Sequence, residues 1–83
     1  MHIGKHLILD FYECNETLLD DYNGLLNIFE ESLILCNATV LNISGNKFGP
    51  QGVTLLALLA ESHASLHTWP ENKYCAMDFY TCG

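Results

Sequence analysis

Residues 53–82, VTLLALLAESHASLHTWPENKYCAMDFYTC, hold three strand-like runs separated by two short breaks. Val53–Ala60 is apolar apart from Thr54, the pattern of a strand buried within a sheet. His63–Trp69 alternates polar and apolar residues, as a half-buried strand does. Pro70-Glu71-Asn72-Lys73 has the residues of a tight turn, and Tyr74–Cys82 returns to aromatic and apolar character. A tight hairpin at this turn pairs Trp69 with Tyr74. Carried outward, the same register sets Cys82 opposite Glu61 and beside Ser62. A terminal cysteine facing an isolated Glu-Ser step is not something core packing demands.

Upstream, Gly49-Pro50-Gln51-Gly52 is the clearest turn in the chain. Thr39–Ile43 has β-branched strand character, and Ser44-Gly45-Asn46 after it predicts a bend. From Thr17 to Cys36 the apolar period changes. Leu18, Tyr22, Leu25, Phe29, Leu33 and Cys36 recur at steps of three and four, the face of one amphipathic helix. Asp20, Asn23, Asn27, Glu30 and Glu31 take the opposite side. Asn15 is the expected N-cap, with Glu16, Asp20 and Asp21 near the positive end of the helix dipole. His6–Tyr12 reads as a first strand. The order β-α-β-β-β-β, with short connections, predicts a single α+β domain over residues 1–83. It is a two-layer sandwich, a mainly antiparallel sheet with its helix packed on one face.

A chain of 83 residues buries only about 60–65% of its unfolded surface, so its stability is marginal. Nine aromatics and 49% apolar residues nevertheless describe a packed core. Ten acidic residues against three lysines and no arginine give a net charge of −7. Without arginine there is no bidentate phosphate clamp and no basic stripe, which argues against nucleic acid as a partner. An acidic surface attracts a cationic ligand instead. The N-terminus lacks a signal-peptide pattern, and the longest apolar stretch is far below the roughly 18–20 residues a membrane span needs. A cytoplasmic protein with no membrane association is expected. Cys14, Cys36, Cys75 and Cys82 contain no C-x-x-C pair, and thiols are expected in place of disulfides. No metal is expected either: His63 and His67, four apart on a strand, are separated by roughly 13 Å, too far to share one zinc ion.

The run Glu61-Ser62-His63-Ala64-Ser65-Leu66-His67-Thr68-Trp69-Pro70-Glu71, followed by Thr81-Cys82-Gly83, resembles the prokaryotic S-adenosylmethionine decarboxylases. Gly4-Lys5-His6-Leu7, Tyr12-Glu13-Cys14, Ala38-Thr39-Val40 and Pro50-Gln51-Gly52-Val53-Thr54 stand in the expected order, so the resemblance covers nearly the whole chain. It implies a proenzyme that makes its own cofactor, a pyruvoyl group generated from Ser62. Cleavage at the Glu61–Ser62 junction would give a β chain, 1–61, and an α chain, 62–83. An amide-conjugated ketone is an electron sink for decarboxylation, the role pyridoxal phosphate plays elsewhere. By matching positions, His67 is the base or acid of self-processing and Cys82 the proton donor in decarboxylation. Thr54 sits where the family often has a processing serine. Phe48 and Glu71 match an adenine-stacking aromatic and a ribose-binding glutamate. The implied product is decarboxylated S-adenosylmethionine, the aminopropyl donor for spermidine synthesis.

Two departures stand out. Members usually continue past Thr-Cys-Gly with a further helix and strand, whereas this sequence stops at Gly83. A partial chain, or a reduced form with part of its sheet face uncovered, is expected. Members often carry a His-Arg pair before the phenylalanine, and here the residues are Asn46-Lys47. That leaves open a pyruvoyl decarboxylase of a basic amino acid, ornithine or arginine, and a processing-dead partner subunit. Distance carries one more expectation. Ser62 and His67 stand roughly 16 Å apart on an extended strand, while proton transfer needs about 3 Å. If the chain reverses near Ala60–Glu61, Thr54 and His67 become cross-strand neighbours. Either the chain bends sharply after Ser62, which no Gly or Pro before Thr68 favours, or the histidine comes from a second subunit. A homodimer with composite sites at its interface is expected.

Overall fold

The computed structural model describes residues 4–81. Five strands, β1 (Lys5–Phe11), β2 (Val40–Lys47), β3 (Val53–Leu59), β4 (Ser62–Trp69) and β5 (Tyr74–Thr81), form one sheet. Its spatial order is β1-β5-β4-β3-β2, and every neighbouring pair is antiparallel. Two helices, α1 (Glu16–Leu19) and α2 (Tyr22–Leu35), lie between β1 and β2 in the chain. They pack on one face, so the expected two-layer α+β sandwich is what forms.

The core follows from strand alternation. Val53, Leu55, Ala57 and Leu59 of β3 and Ala64 and Leu66 of β4 face the helices and are buried. Leu25, Phe29 and Leu33 of α2 descend onto them, with Phe29 at 1% exposure. Burying a side chain of that size and then truncating it to alanine costs about 3–5 kcal/mol. Thr68 ties the layers together. Its hydroxyl donates to the Leu19 carbonyl at 2.7 Å and accepts from the Val53 N–H at 2.9 Å.

The single helix expected over Thr17–Cys36 is broken. Asp20 caps the end of α1, and the Asp21 carboxylate accepts from the Gly24 N–H to start α2. An acidic residue with a free backbone conformation is worth more as a second N-cap than as a mid-helix residue. The break resets the phase, so Leu19 is buried and Leu18 is 61% exposed. Asn15 caps α1 as expected, accepting from the Leu18 N–H. Ser44-Gly45-Asn46 does not bend; it continues β2. Gly45 is needed there because a Cβ would sit 2.3 Å from the Tyr22 hydroxyl and 2.7 Å from Leu55 Cδ2. Its lack of a side chain lets the helix layer approach the sheet.

The Trp69–Tyr74 pairing forms as expected, closed by a 3₁₀ turn at Pro70–Asn72 and a left-handed Lys73. Two apolar surfaces stay open. On the helix side Leu7, Leu9 and Phe11 of β1 are exposed, because the helices cover the sheet only as far as β5. The opposite face carries no helix, and there Ile8, Leu56, Leu58 and Trp69 meet solvent. No helix among the described residues is long and apolar enough to cross a membrane.

Candidate active site

The β3–β4 hairpin carries expected site residues at both ends. At its open end the register sets Thr54 directly opposite His67. Both point to the helix-free face, and Thr54 Oγ1 lies 3.0 Å from His67 Nδ1. This contact orients the imidazole and leaves Nε2 available for proton transfer. The His67 ring lies 6.1 Å from that of Trp69. Together Phe48, Thr54, His67, Trp69 and Glu71 line a cleft of about 330 Å³, a volume suited to a small organic ligand.

Phe48 reaches this cleft because its loop is tied down. The loop has a cis Gly49–Pro50 bond, and Gly52 adopts φ 113°, a conformation that favours glycine. The Phe48 N–H donates to the Gly52 carbonyl at 2.9 Å. Asp20 completes the anchor, accepting from the Gly52 N–H at 2.9 Å and pairing with Lys47 Nζ at 2.6 Å. The Lys47 contact, and then the Gly52 N–H, hold the Asp20 carboxyl below its ordinary range. Sequence reasoning had set Asp20 on the solvent side of a continuous helix. Only the helix break turns it toward the loop.

The closed end is built from backbone. Leu59 pairs with Ser62 across a two-residue turn, Ala60-Glu61. Glu61 has φ 59°, a left-handed conformation that costs a non-glycine residue roughly 1–3 kcal/mol. The strained residue contributes the carbonyl of the Glu61–Ser62 peptide. The Ser62 hydroxyl donates to the Ala60 carbonyl at 3.3 Å, and the Ala60 N–H is held by the Thr39 carbonyl at 3.0 Å. Ser62, Glu61, Thr39, Phe79 and Thr81 line a hollow of about 430 Å³ beside the end of α2.

The structure thus gathers Phe48, Thr54, His67 and Glu71 into one cleft and sets Glu61 and Ser62 at the other end. Ser62 lies five strand residues from His67, and the two point to opposite faces of the sheet. Cys82 lies outside the described residues. Among the other cysteines, Cys75 is buried and Cys14 packs partly against the core. Burial pushes the Cys75 thiol up to about 11, leaving it unreactive. Cys36 departs from its expected place in the core: it caps the end of α2 and is exposed.

A further polar group escaped sequence reasoning. His6, His63, Ser65 and Asp78 converge on the helix-free face from β1, β4 and β5. Ser65 donates to Asp78, and this bond first, then those from His6 and His63, keeps the Asp78 carboxyl below its ordinary range. β4 stays extended between His63 and His67, which keeps those two histidines apart. The alternation read in β4 places His63 and Ser65 on one face. The meeting of all four depends on β1 pairing beyond β5, which no local pattern announces.

Known proteins share this sequence and fold. The family model for S-adenosylmethionine decarboxylase matches residues 5–83. A Methanococcus aeolicus protein named S-adenosylmethionine decarboxylase proenzyme is 50% identical over 82 residues, covering 99% of this chain and 70% of its own length. A Synechococcus protein of the same name is 51% identical over 81 residues, covering 98% of this chain and 63% of its own. The crystal structure of the adenosylmethionine decarboxylase from Aquifex aeolicus superposes with a TM-score of 0.91 at 33% identity, covering 99% of this chain and 68% of that one. The chain therefore spans roughly two thirds of the length of these relatives, 63% to 70%. With the expected motifs in place and the fold shared throughout, this chain belongs to the S-adenosylmethionine decarboxylase family.

Proposed function

We propose that this chain is a self-processing, pyruvoyl-dependent decarboxylase of S-adenosylmethionine whose sites are shared between two copies. The observation that carries the reading is the separation of two half-sites, the Thr54–His67 pair at one end of the β3–β4 hairpin and the strained Glu61–Ser62 turn at the other. Neither end is sufficient alone.

Processing begins with the Ser62 hydroxyl attacking the Glu61 carbonyl carbon. The C–N bond breaks as the new C–O bond forms, and the amide becomes an ester. Left-handed strain at Glu61 raises the starting amide toward that change. Loss of the Ser62 α-proton expels the Glu61 carboxylate, and water replaces the nitrogen, released as ammonia. A base must take the hydroxyl proton and an acid must return it to nitrogen; an imidazole held by Thr54 suits both roles. His67 cannot serve its own Ser62 across roughly 16 Å of strand, so the partner's cleft supplies it. Ala60 and Glu61 are exposed at the sheet rim, and the helix-free face bears Ile8, Leu56, Leu58 and Trp69, an apolar surface for a second copy.

Ser62 fits its role as precursor, since its hydroxyl already lies beside the turn carbonyls. The pyruvoyl ketone supplies the electron sink for loss of carbon dioxide. In the cleft Phe48 offers a stacking face for an adenine and Glu71 accepts from ribose hydroxyls. The chain's acidity favours a sulfonium cation. Cys82, outside the described residues, would supply the proton to the decarboxylated carbon by its match to the family motif.

Co-expression tests the shared site. Ser62→Ala and His67→Ala chains are each expected to be processing-deficient alone. Together, the His67→Ala chain is expected to be cut at Glu61–Ser62, using the histidine of its Ser62→Ala partner. Heterodimers that form and stay uncut by intact-mass measurement overturn the composite site.

A further inference from the structure

We propose that His6, His63 and Asp78 form a binding site for a divalent first-row transition ion of the zinc type. The sheet register builds it. Tyr80 pairs with His6 on one side and His63 on the other, so the two imidazoles flank it on neighbouring strands. Asp78, two residues away, points to the same face. Its Oδ2 lies 2.7 Å from His6 Nε2 and 3.3 Å from His63 Nε2, and the three atoms all fall within 4.8 Å of one another.

These spacings suit a shared ion. Metal–ligand bonds of about 2.0–2.1 Å in tetrahedral geometry put neighbouring donors roughly 3.3 Å apart. The His63–Asp78 edge already has that length, and the other two edges need shifts of roughly an ångström or so, within reach of exposed rings. Two imidazole nitrogens and one carboxylate oxygen are the donors zinc and cobalt select, whereas magnesium and calcium prefer all-oxygen sites. The surroundings hold the donors in place. Ser65 donates to Asp78 Oδ1, which turns Oδ2 toward the imidazoles. The His63 ring stacks on Tyr80 at 5.8 Å and 7°, and the His6 ring meets Tyr80 at 5.8 Å and 73°. Carboxylates and packing that orient ligands in this way are the usual outer shell of a zinc site. In the single chain the side-chain exposures are 42% for His6 and 51% for His63, which leaves both rings room to turn toward an ion.

Occupancy would bind edge strand β1 to β4 across β5. It would also fix His63, the residue directly after Ser62, beside the cleavage turn. The ion is a ligand of the folded chain, independent of the decarboxylase reading.

The test is titration of cobalt(II), with zinc as competitor, into the full chain after alkylation of its thiols. The expected result is one cobalt per chain with visible d–d absorption, no thiolate charge-transfer band, and displacement by zinc. Asp78→Asn and His6→Gln should each abolish the absorption, and His67→Gln should leave it unchanged. Ser65→Ala should weaken binding roughly tenfold, the scale for losing an outer-shell partner. His6 lies on an edge strand outside the core, so its variant keeps the test valid if Asp78→Asn fails to fold by circular dichroism. Absence of cobalt binding to the folded parent overturns the proposal, as does undiminished binding by folded His6→Gln.

Discussion

The two ends of the β3–β4 hairpin belong to one register yet are held by different forces. At the open end, side chains do the holding. Thr54 orients His67, Asp20 anchors the loop that presents Phe48, and Thr68 bonds both layers beneath the cleft. At the closed end two exposed residues make the turn, and one of them is left-handed without being glycine. The first end is built to stay as it is. The second holds a bond in a conformation that breaking would relax. The proposed self-processing needs both, because the catalyst must survive the cleavage that the substrate peptide would undergo. The difference teaches that side-chain networks hold one end of this hairpin and a strained backbone turn the other, which suits the lasting and the consumable parts of the proposed reaction.

The sharpest way to break the comparison is to remove the lasting machinery. His67→Ala should slow appearance of the two cleaved chains by roughly 10²–10⁴-fold, the scale of a lost general acid–base, as followed by intact mass. Thr54→Val should slow it less, and Thr54→Ser should restore it. Cleavage at the parental rate in His67→Ala would mean that the turn acts without the cleft.

Next in size is Thr68→Val, which leaves the Leu19 carbonyl and Val53 N–H without their shared partner. A loss of about 1–3 kcal/mol is expected in denaturant unfolding, with no change in the chemistry of the closed end. Smaller still is Glu61→Gly, which relieves the left-handed strain. In an uncleavable Ser62→Ala background it should raise stability by about 0.5–1 kcal/mol, and in the parent it should slow cleavage. Faster cleavage in Glu61→Gly would remove strain from the account.

The smallest effect concerns acid. Asp20, at the open end, and Asp78, opposite Ser65 in the middle of β4, both have carboxyls held below the ordinary 3.8. A depressed folded-state value means that each contribution is present above that pH and is lost as pH falls through the depressed value. Melting temperature should therefore decline below about pH 4. It should decline less in Asp20→Asn, whose partner Lys47 is left unpaired at every pH.

Much of this was legible along the chain because it depends on local period and spacing. Alternation in β4 identifies its faces, and the short turn at Pro70–Lys73 sets the Trp69–Tyr74 register. Two residues between Leu59 and Ser62 are enough to oppose Thr54 and His67. The E-S-H-x-S-x-H-T-W-P-E run carries the family resemblance by itself. Other features were not legible, since they arise where distant segments meet. The helix divides at Asp20–Asp21 because a carboxylate there caps α2 and another reaches a loop more than thirty residues on. Gly45 reads as a bend until Tyr22 is seen above it. The His6–His63–Asp78 cluster exists only because β1, first in the chain, pairs with β5, last in the chain. Sequence alone determined the family motif that nominates the residues proposed to carry chemistry, and which strands pair through short turns, because motif and turn spacing are local to the chain. Tertiary structure alone decided which of them share a site, because strand order and helix packing are settled by burial of the whole core and not by any neighbour in the chain.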